Sequence, residues 1–178
     1  GTNGYYRGNI SALGSTGILR YAIIASKSGT DGISASDFKF GNQEKDGNKN
    51  NSFTSRFGLY LSPKTKLDFV YKFSQAETSL DQSEKYGDDP NYTYNIEEHL
   101  FKAGIKTAFV GNMWRQQFSA SLIKRFSHSL DLTDPSHPNL SSDSYNKAQR
   151  VKFNWQNNLH LVENNLITFG IESETETA

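Results

Sequence analysis

Polar and apolar residues alternate strictly along several stretches of this chain. In the segment 67–74, every second residue from Leu67 to Phe73 is apolar, and the residues between them are mostly polar. Segment 151–161 follows the same rule over most of its length. Because successive side chains of a β-strand point to opposite faces, this pattern predicts strands with one apolar and one polar face.

The alternation predicts eight strands. Short turns and long polar loops connect them alternately along the chain. The predicted strands are 5–13, 18–28, 53–61, 66–76, 99–109, 114–127, 145–161 and 166–173. The short turns are 14–17, 62–65, 111–112 and 163–165, and the long loops are 29–51, 77–95 and 128–143. Such strands, with tight turns at one end and long loops at the other, are typical of an all-β, antiparallel, up-and-down transmembrane β-barrel.

Composition narrows the class of protein. The 178 residues suffice for one domain, and the aromatic content of 13% argues against disorder. No run approaches the roughly 18 apolar residues of a membrane helix. Net charge is zero, so nucleic acid is not an expected partner, and the absence of cysteine excludes disulfides and thiolate metal sites.

The cations decide which face of the strands meets lipid. Arg150 and Lys152 share one face of a predicted strand, as do Arg115 and Arg125 of another. Each Lys or Arg facing lipid near the bilayer midplane costs roughly 2–4 kcal/mol. The polar faces are therefore expected to face water or protein, and the apolar faces lipid.

Aromatic residues beside the short turns are predicted to form a membrane-interface girdle. Phe109 and Trp114 flank one turn, and Tyr60 precedes another. The alternative, a soluble antiparallel β-sandwich such as a carbohydrate-binding module, also produces alternation. A sandwich, however, has no reason to place all its short turns at one end.

Several segments resemble the barrel of TonB-dependent outer-membrane receptors, in particular the vitamin B12 (cobalamin) transporter branch. They are 19–32, Asp46-Gly47 ahead of the strand 53–61, and 155–159 leading into 166–170. The resemblance covers nearly the whole chain, as about strands two to nine. It implies that residues 1–178 are a partial barrel domain, an eight-strand fragment of a 22-stranded barrel, lacking the plug domain and the remaining strands.

The resemblance also implies a location and a function. The chain would belong to the bacterial outer membrane, with its short turns in the periplasm and its long loops outside. It would supply wall and loops to a receptor that imports cobalamin, or an iron-siderophore, with energy from TonB acting through the absent plug. A passive porin-type channel is the alternative transporter.

Acidic loop residues are candidate calcium ligands on the same resemblance. Asp31, Glu44 and Asp46 fall at positions similar to part of the calcium set of the cobalamin branch, and Asp89 supplies a further carboxylate. Gln75 departs from that pattern, since an Asp is expected there. The alternative is that these residues are solvated or serve turns, which Asp and Gly favour.

No enzyme activity is expected from the sequence. His128 and His137 lie in or beside one long loop with serines nearby, but no nucleophile motif surrounds them. Both are expected to be solvated loop side chains.

Overall fold

The chain folds into one antiparallel sheet. The structure is a computed structural model that describes residues 2–33, 45–81, 89–135, 137–162 and 165–178. The strands are β1 (Tyr6–Thr16), β2 (Leu19–Thr30), β3 (Asn48–Ser62), β4 (Thr65–Ser79), β5 (Thr93–Phe109), β6 (Trp114–Asp131), β7 (Ser142–Leu159) and β8 (Ile167–Thr177). Within these ranges, two one-turn 3₁₀ helices, Thr2–Gly4 and Val110–Asn112, accompany the strands. The described residues include no helix with the length and apolarity needed to cross a bilayer.

Strand order follows chain order without a crossover. Each strand pairs antiparallel with its neighbours in sequence, from β1 at one edge to β8 at the other. This confirms the predicted all-β, antiparallel, up-and-down fold. The β-sandwich alternative is wrong, because all eight strands lie in one sheet and no second sheet packs on it in the described part of the chain.

The register places residues of similar polarity beside one another across the sheet. One row crosses seven strands with apolar side chains alone: Leu19, Leu59, Leu67, Ile105, Phe118, Trp155 and Ile171. The next row, on the opposite side, holds no large apolar side chain: Arg20, Gly58, Asp68, Gly104, Ser119, Asn154 and Glu172. The side with the rows of Leu67, Phe69 and Tyr71 is the apolar face, and the side with the rows of Asp68, Val70 and Lys72 is the polar face.

The apolar face has no cover within the described residues. No apolar side chain among them is buried, and large ones such as Phe153 and Trp155 stay well exposed. On β5 the apolar face runs from Phe101 to Phe109, eight steps or about 27 Å of strand. That length is comparable with the roughly 25 Å apolar band of a membrane barrel.

Several strands extend further toward the loops than the sequence predicts. β3 begins at Asn48 and β5 at Thr93, five and six residues before the predicted starts of 53 and 99. The β3 extension is polar throughout, so alternation does not reveal it, but partners on β4 complete it. Asn48 Nδ2 donates to Thr78 Oγ1 at 2.7 Å, and Lys49 pairs with Glu77 at 3.0 Å.

The first short turn also differs from the prediction. β1 continues through the predicted turn to Thr16, which pairs with Leu19, so only Gly17 and Ile18 connect the strands. Gly17 has φ of 53°. Two-residue hairpins need such positive φ values, which glycine adopts without steric cost.

Of the three predicted girdle aromatics, two lie on the apolar face beside a short turn. Phe109 and Trp114 pair across β5 and β6 on the apolar face beside the turn, with ring centroids 5.4 Å apart. Trp114 Nε1 donates to Oδ1 of the fully buried Asn157 at 3.0 Å. Tyr60 was placed wrongly, since it lies on the polar face beneath the guanidinium of Arg20, 4.4 Å from the ring centroid.

A charge placed on each face is expected to have opposite consequences. Ala120→Lys puts an ammonium into the row of Phe69 and Phe153, and we expect it to destabilise the protein in lipid vesicles by roughly 2–4 kcal/mol. Asn154→Lys adds the same charge on the polar face beside Glu172 and is expected to change stability little. Urea unfolding of the full-length protein measures both, and equal losses would contradict the assignment of faces.

Candidate functional site at the loop end of the sheet

Backbone hydrogen bonds order the long connections at the loop end. The N–H of Ser79 donates to the carbonyl of Gly47 at 2.9 Å, which links the β2–β3 connection to β4. Within the β4–β5 connection, the N–H of Leu80 donates to the carbonyl of Tyr92 at 2.9 Å. These contacts lie beyond the apolar rows, so they extend the ordered backbone past the loop-side limit of the apolar face.

One side chain joins the β4–β5 and β6–β7 connections. Asn91 Oδ1 accepts the backbone N–H of Leu132 at 2.9 Å, and Asn91 Nδ2 donates to Asp134 Oδ2 at 3.3 Å. A single amide thus uses its acceptor and its donor on the same neighbouring loop. The two connections are held as one unit.

Beside Asn91, the two connections bring together Asp89, Asp134 and His137. His137 Nδ1 lies 3.2 Å from Asp134 Oδ2 and 3.9 Å from Asp89 Oδ2. Asp89 is 0% exposed and His137 is 3% exposed. This is the group of three potential metal ligands found among the described residues, with its ligand atoms all within 4.8 Å of one another.

Of the four predicted calcium ligands, the described part of the chain contains three, and these lie in two separate places. Asp31 and Asp46 lie on adjacent backbone segments, because the N–H of Asp46 donates to the carbonyl of Ile33 at 3.2 Å. Neither belongs to the group around Asp89, and Glu44 lies outside the described residues. The calcium set of Asp31, Glu44, Asp46 and Asp89 therefore stays a prediction.

Neither histidine behaves as a freely solvated loop side chain. His137 is buried, and its backbone N–H donates to Asp134 Oδ1 at 2.7 Å. His128 belongs to β6, where its Nε2 lies 2.8 Å from Asp143 Oδ1 and its ring stacks on Tyr145 with centroids 3.9 Å apart. The expectation of solvated histidines is wrong for His137, because the carboxylates that enclose it are supplied by folding.

A second feature that the sequence did not reveal is an aromatic and histidine cluster at the loop-side limit of the apolar face. Tyr71 OH lies 3.0 Å from His99 Nδ1, and His99 Nε2 lies 2.9 Å from Glu97 Oε1. Phe101 stacks on Tyr71 with centroids 4.8 Å apart. Amphipathic rings of this kind favour a membrane–water interface, so the cluster complements Trp114 at the other limit.

The polar face carries charges of two kinds. Along β7 and β8 they are paired, for example Lys152 with Glu172 at 2.7 Å. At its centre, Arg56, Lys72 and Lys102 line a hollow of about 410 Å³ and make no ion pair with the described residues. Asp68, which also lines the hollow, pairs with Lys66 at 2.7 Å. The centre of the polar face is thus open to an anionic partner.

Comparison with known proteins supports the resemblance seen in the sequence. The vitamin B12 transporter BtuB of Photobacterium profundum is 27% identical over 173 residues, which is 97% of this chain and 26% of that protein. The siderophore receptor PirA of Acinetobacter baumannii matches 99% of this chain and 28% of its own, with a TM-score of 0.64 and 12% identity. No family model matches. The chain spans about a quarter of each protein's length, and the predicted likeness to a TonB-dependent receptor barrel segment is confirmed.

Removing the amide of Asn91 is expected to loosen the two connections from each other. Asn91→Ala deletes both hydrogen bonds, each contributing about 0.5–1.5 kcal/mol. Hydrogen exchange at the Leu132 amide should then be about three- to tenfold faster. Asn139→Ala, at an exposed position of the β6–β7 connection, is the matched control and should leave that exchange unchanged. An Asn91→Ala protein with unaltered exchange would contradict the bridging role.

Proposed function

We propose that this chain, a barrel segment like those of TonB-dependent receptors, forms part of the wall and outer loops of a bacterial outer-membrane receptor that imports a scarce nutrient. The observation that carries the proposal is the separation of apolar and polar rows across seven consecutive strands. A sheet without an apolar interior is stable only where another phase covers its apolar face. Matches over nearly the whole chain support the same reading.

The apolar face is assigned to outer-membrane lipid. Its rows of Leu67, Phe69 and Tyr71 meet acyl chains, with Trp114 at the turn-side interface and His99 at the loop-side interface. The proposal adopts the orientation that the resemblance implies, with the short turns in the periplasm and the long connections outside.

The polar face is assigned to the lumen, where it contacts a plug domain. Arg56, Lys72 and Lys102 supply cations that remain unpaired among the described residues and that suit acidic or carbonyl groups of such a plug. TonB would act on the plug and not on this wall. The contribution of the segment is therefore positional, and we assign it no catalytic role.

The outer connections are assigned to ligand capture. The relative BtuB is a vitamin B12 transporter, and PirA, which has a similar fold, is a siderophore receptor. Cobalamin is therefore the first candidate ligand, and an iron-siderophore the second. Both are too large and too scarce for efficient passive diffusion, which favours energised uptake over a porin-type channel.

Uptake by the full-length protein in a bacterium deprived of its own cobalamin and siderophore receptors tests the proposal. We expect uptake of labelled cobalamin, or of a ferric siderophore, in cells that contain TonB and its loss in otherwise identical cells without TonB. Equal uptake in both strains would indicate a passive channel and contradict the proposal. The same pair of strains carrying an empty plasmid gives the background.

We propose that calcium binds the outer connections through Asp31, Glu44 and Asp46, whereas Asp89, the fourth predicted ligand, belongs to the group with Asp134 and His137. The adjacency of the Asp31 and Asp46 segments supports this set. We expect calcium to strengthen ligand binding. Asp46→Asn should raise the calcium concentration needed for this effect at least about tenfold, because a carboxylate ligand is lost. Asp143→Asn, whose carboxylate pairs with His128, is the control. Ligand binding by the unmodified protein that does not change with calcium would contradict the proposal.

A further inference from the structure

The group formed by Asp89, Asp134 and His137 combines burial with the side-chain types that bind metals. Asp89 is wholly buried, His137 is 3% exposed, and Asp134 is largely enclosed. The group offers two carboxylates and one imidazole, with ligand atoms within 4.8 Å of one another. A metal ion stabilises carboxylates in such enclosed surroundings, because burying a carboxylate is costly unless its charge is compensated nearby.

The spacing of the ligand atoms matches a small ion. In tetrahedral zinc sites, nitrogen and oxygen ligands lie about 2.0–2.2 Å from the metal, which sets neighbouring ligand atoms about 3.3–3.6 Å apart. His137 Nδ1 lies 3.2 Å from Asp134 Oδ2 and 3.9 Å from Asp89 Oδ2, values that bracket this spacing. All three ligand atoms lie within 4.8 Å of one another, so modest side-chain adjustments would bring them around one ion.

The donor types select the class of metal. Calcium and magnesium take oxygen ligands almost alone, whereas imidazole suits zinc, copper, nickel and cobalt. One imidazole nitrogen with two carboxylate oxygens is thus a ligand set for a divalent transition metal. It differs in both chemistry and membership from the carboxylate set around Asp31 and Asp46.

The ligands also have the support that metal sites need. Asn91 Nδ2 and the backbone N–H of His137 hold the two oxygens of Asp134 at 3.3 and 2.7 Å. The carbonyl of Asp89 accepts the N–H of Tyr92 at 3.1 Å, which holds the backbone of the connection just before β5. Hydrogen bonds of this kind orient ligating side chains before the ion arrives.

We propose that Asp89, Asp134 and His137 bind one divalent transition-metal ion, of which Zn²⁺ is the best match, and that this ion clasps the β4–β5 connection to the β6–β7 connection. Three protein ligands leave a fourth position for water. Because Asp89 comes from one connection and the other two ligands from the next, the ion acts as a cross-link between neighbouring outer loops.

Metal titration of the full-length protein in detergent, after treatment with chelator, tests the proposal. We expect Zn²⁺ to bind and Co²⁺ to give the visible absorption of a four- or five-coordinate site, both in the presence of excess Ca²⁺. His137→Gln and Asp134→Asn should each weaken Zn²⁺ affinity by at least the about 10–100-fold typical of losing a supporting partner. His128→Gln removes the other histidine–aspartate pair and should leave affinity unchanged.

Hydrogen exchange provides a second readout that does not depend on the folding of the variants. Adding Zn²⁺ to the unmodified protein should slow exchange at the amides of Leu132 and Tyr92, on both sides of the clasp. Zn²⁺ affinity that is the same in His137→Gln as in the unmodified protein would overturn the proposal. So would Zn²⁺ binding that is abolished by Ca²⁺, or that leaves exchange on either connection unchanged.

Discussion

The structure depends on keeping two kinds of side chain on two sides of a single layer. Each strand alternates, but alternation has consequences only because the register puts Leu67 beside Leu59 and Ile105, and Asp68 beside Gly58 and Gly104. A slip of one residue between any two strands would bring charges into the apolar face. The aligned faces therefore fix the pairing of the strands, and with it the common end at which the loops meet.

A single layer reverses the usual distribution of buried groups. In the described part of the chain, the buried side chains that carry polar groups are Ser55, Asp89, Ser119, Asp131, His137 and Asn157, and no apolar side chain is buried with them. Apolar residues instead lie on an exposed face of the sheet. Charged groups are enclosed where the long connections fold over each other, around Asp89 and His137.

The sequence predicted the fold well because the decisive signal is local. Alternation within a strand requires no knowledge of other strands, and the cations at Arg150 and Lys152 were enough to assign the faces. Prediction failed where local sequence is ambiguous. The polar start of β3 at Asn48 gives no alternating signal, and the face of Tyr60 depends on register near an irregular strand end.

Taken alone, the sequence determined an eight-strand antiparallel segment, its two faces, and a resemblance to transporters, because these follow from the period of the side chains and the order of segments. Only the tertiary structure decided which loop residues meet. Asp89 and His137 are 48 positions apart in the chain and belong to different connections, so no spacing rule relates them. They come together because β5 and β6 pair along their length and return the chain to the same end of the sheet.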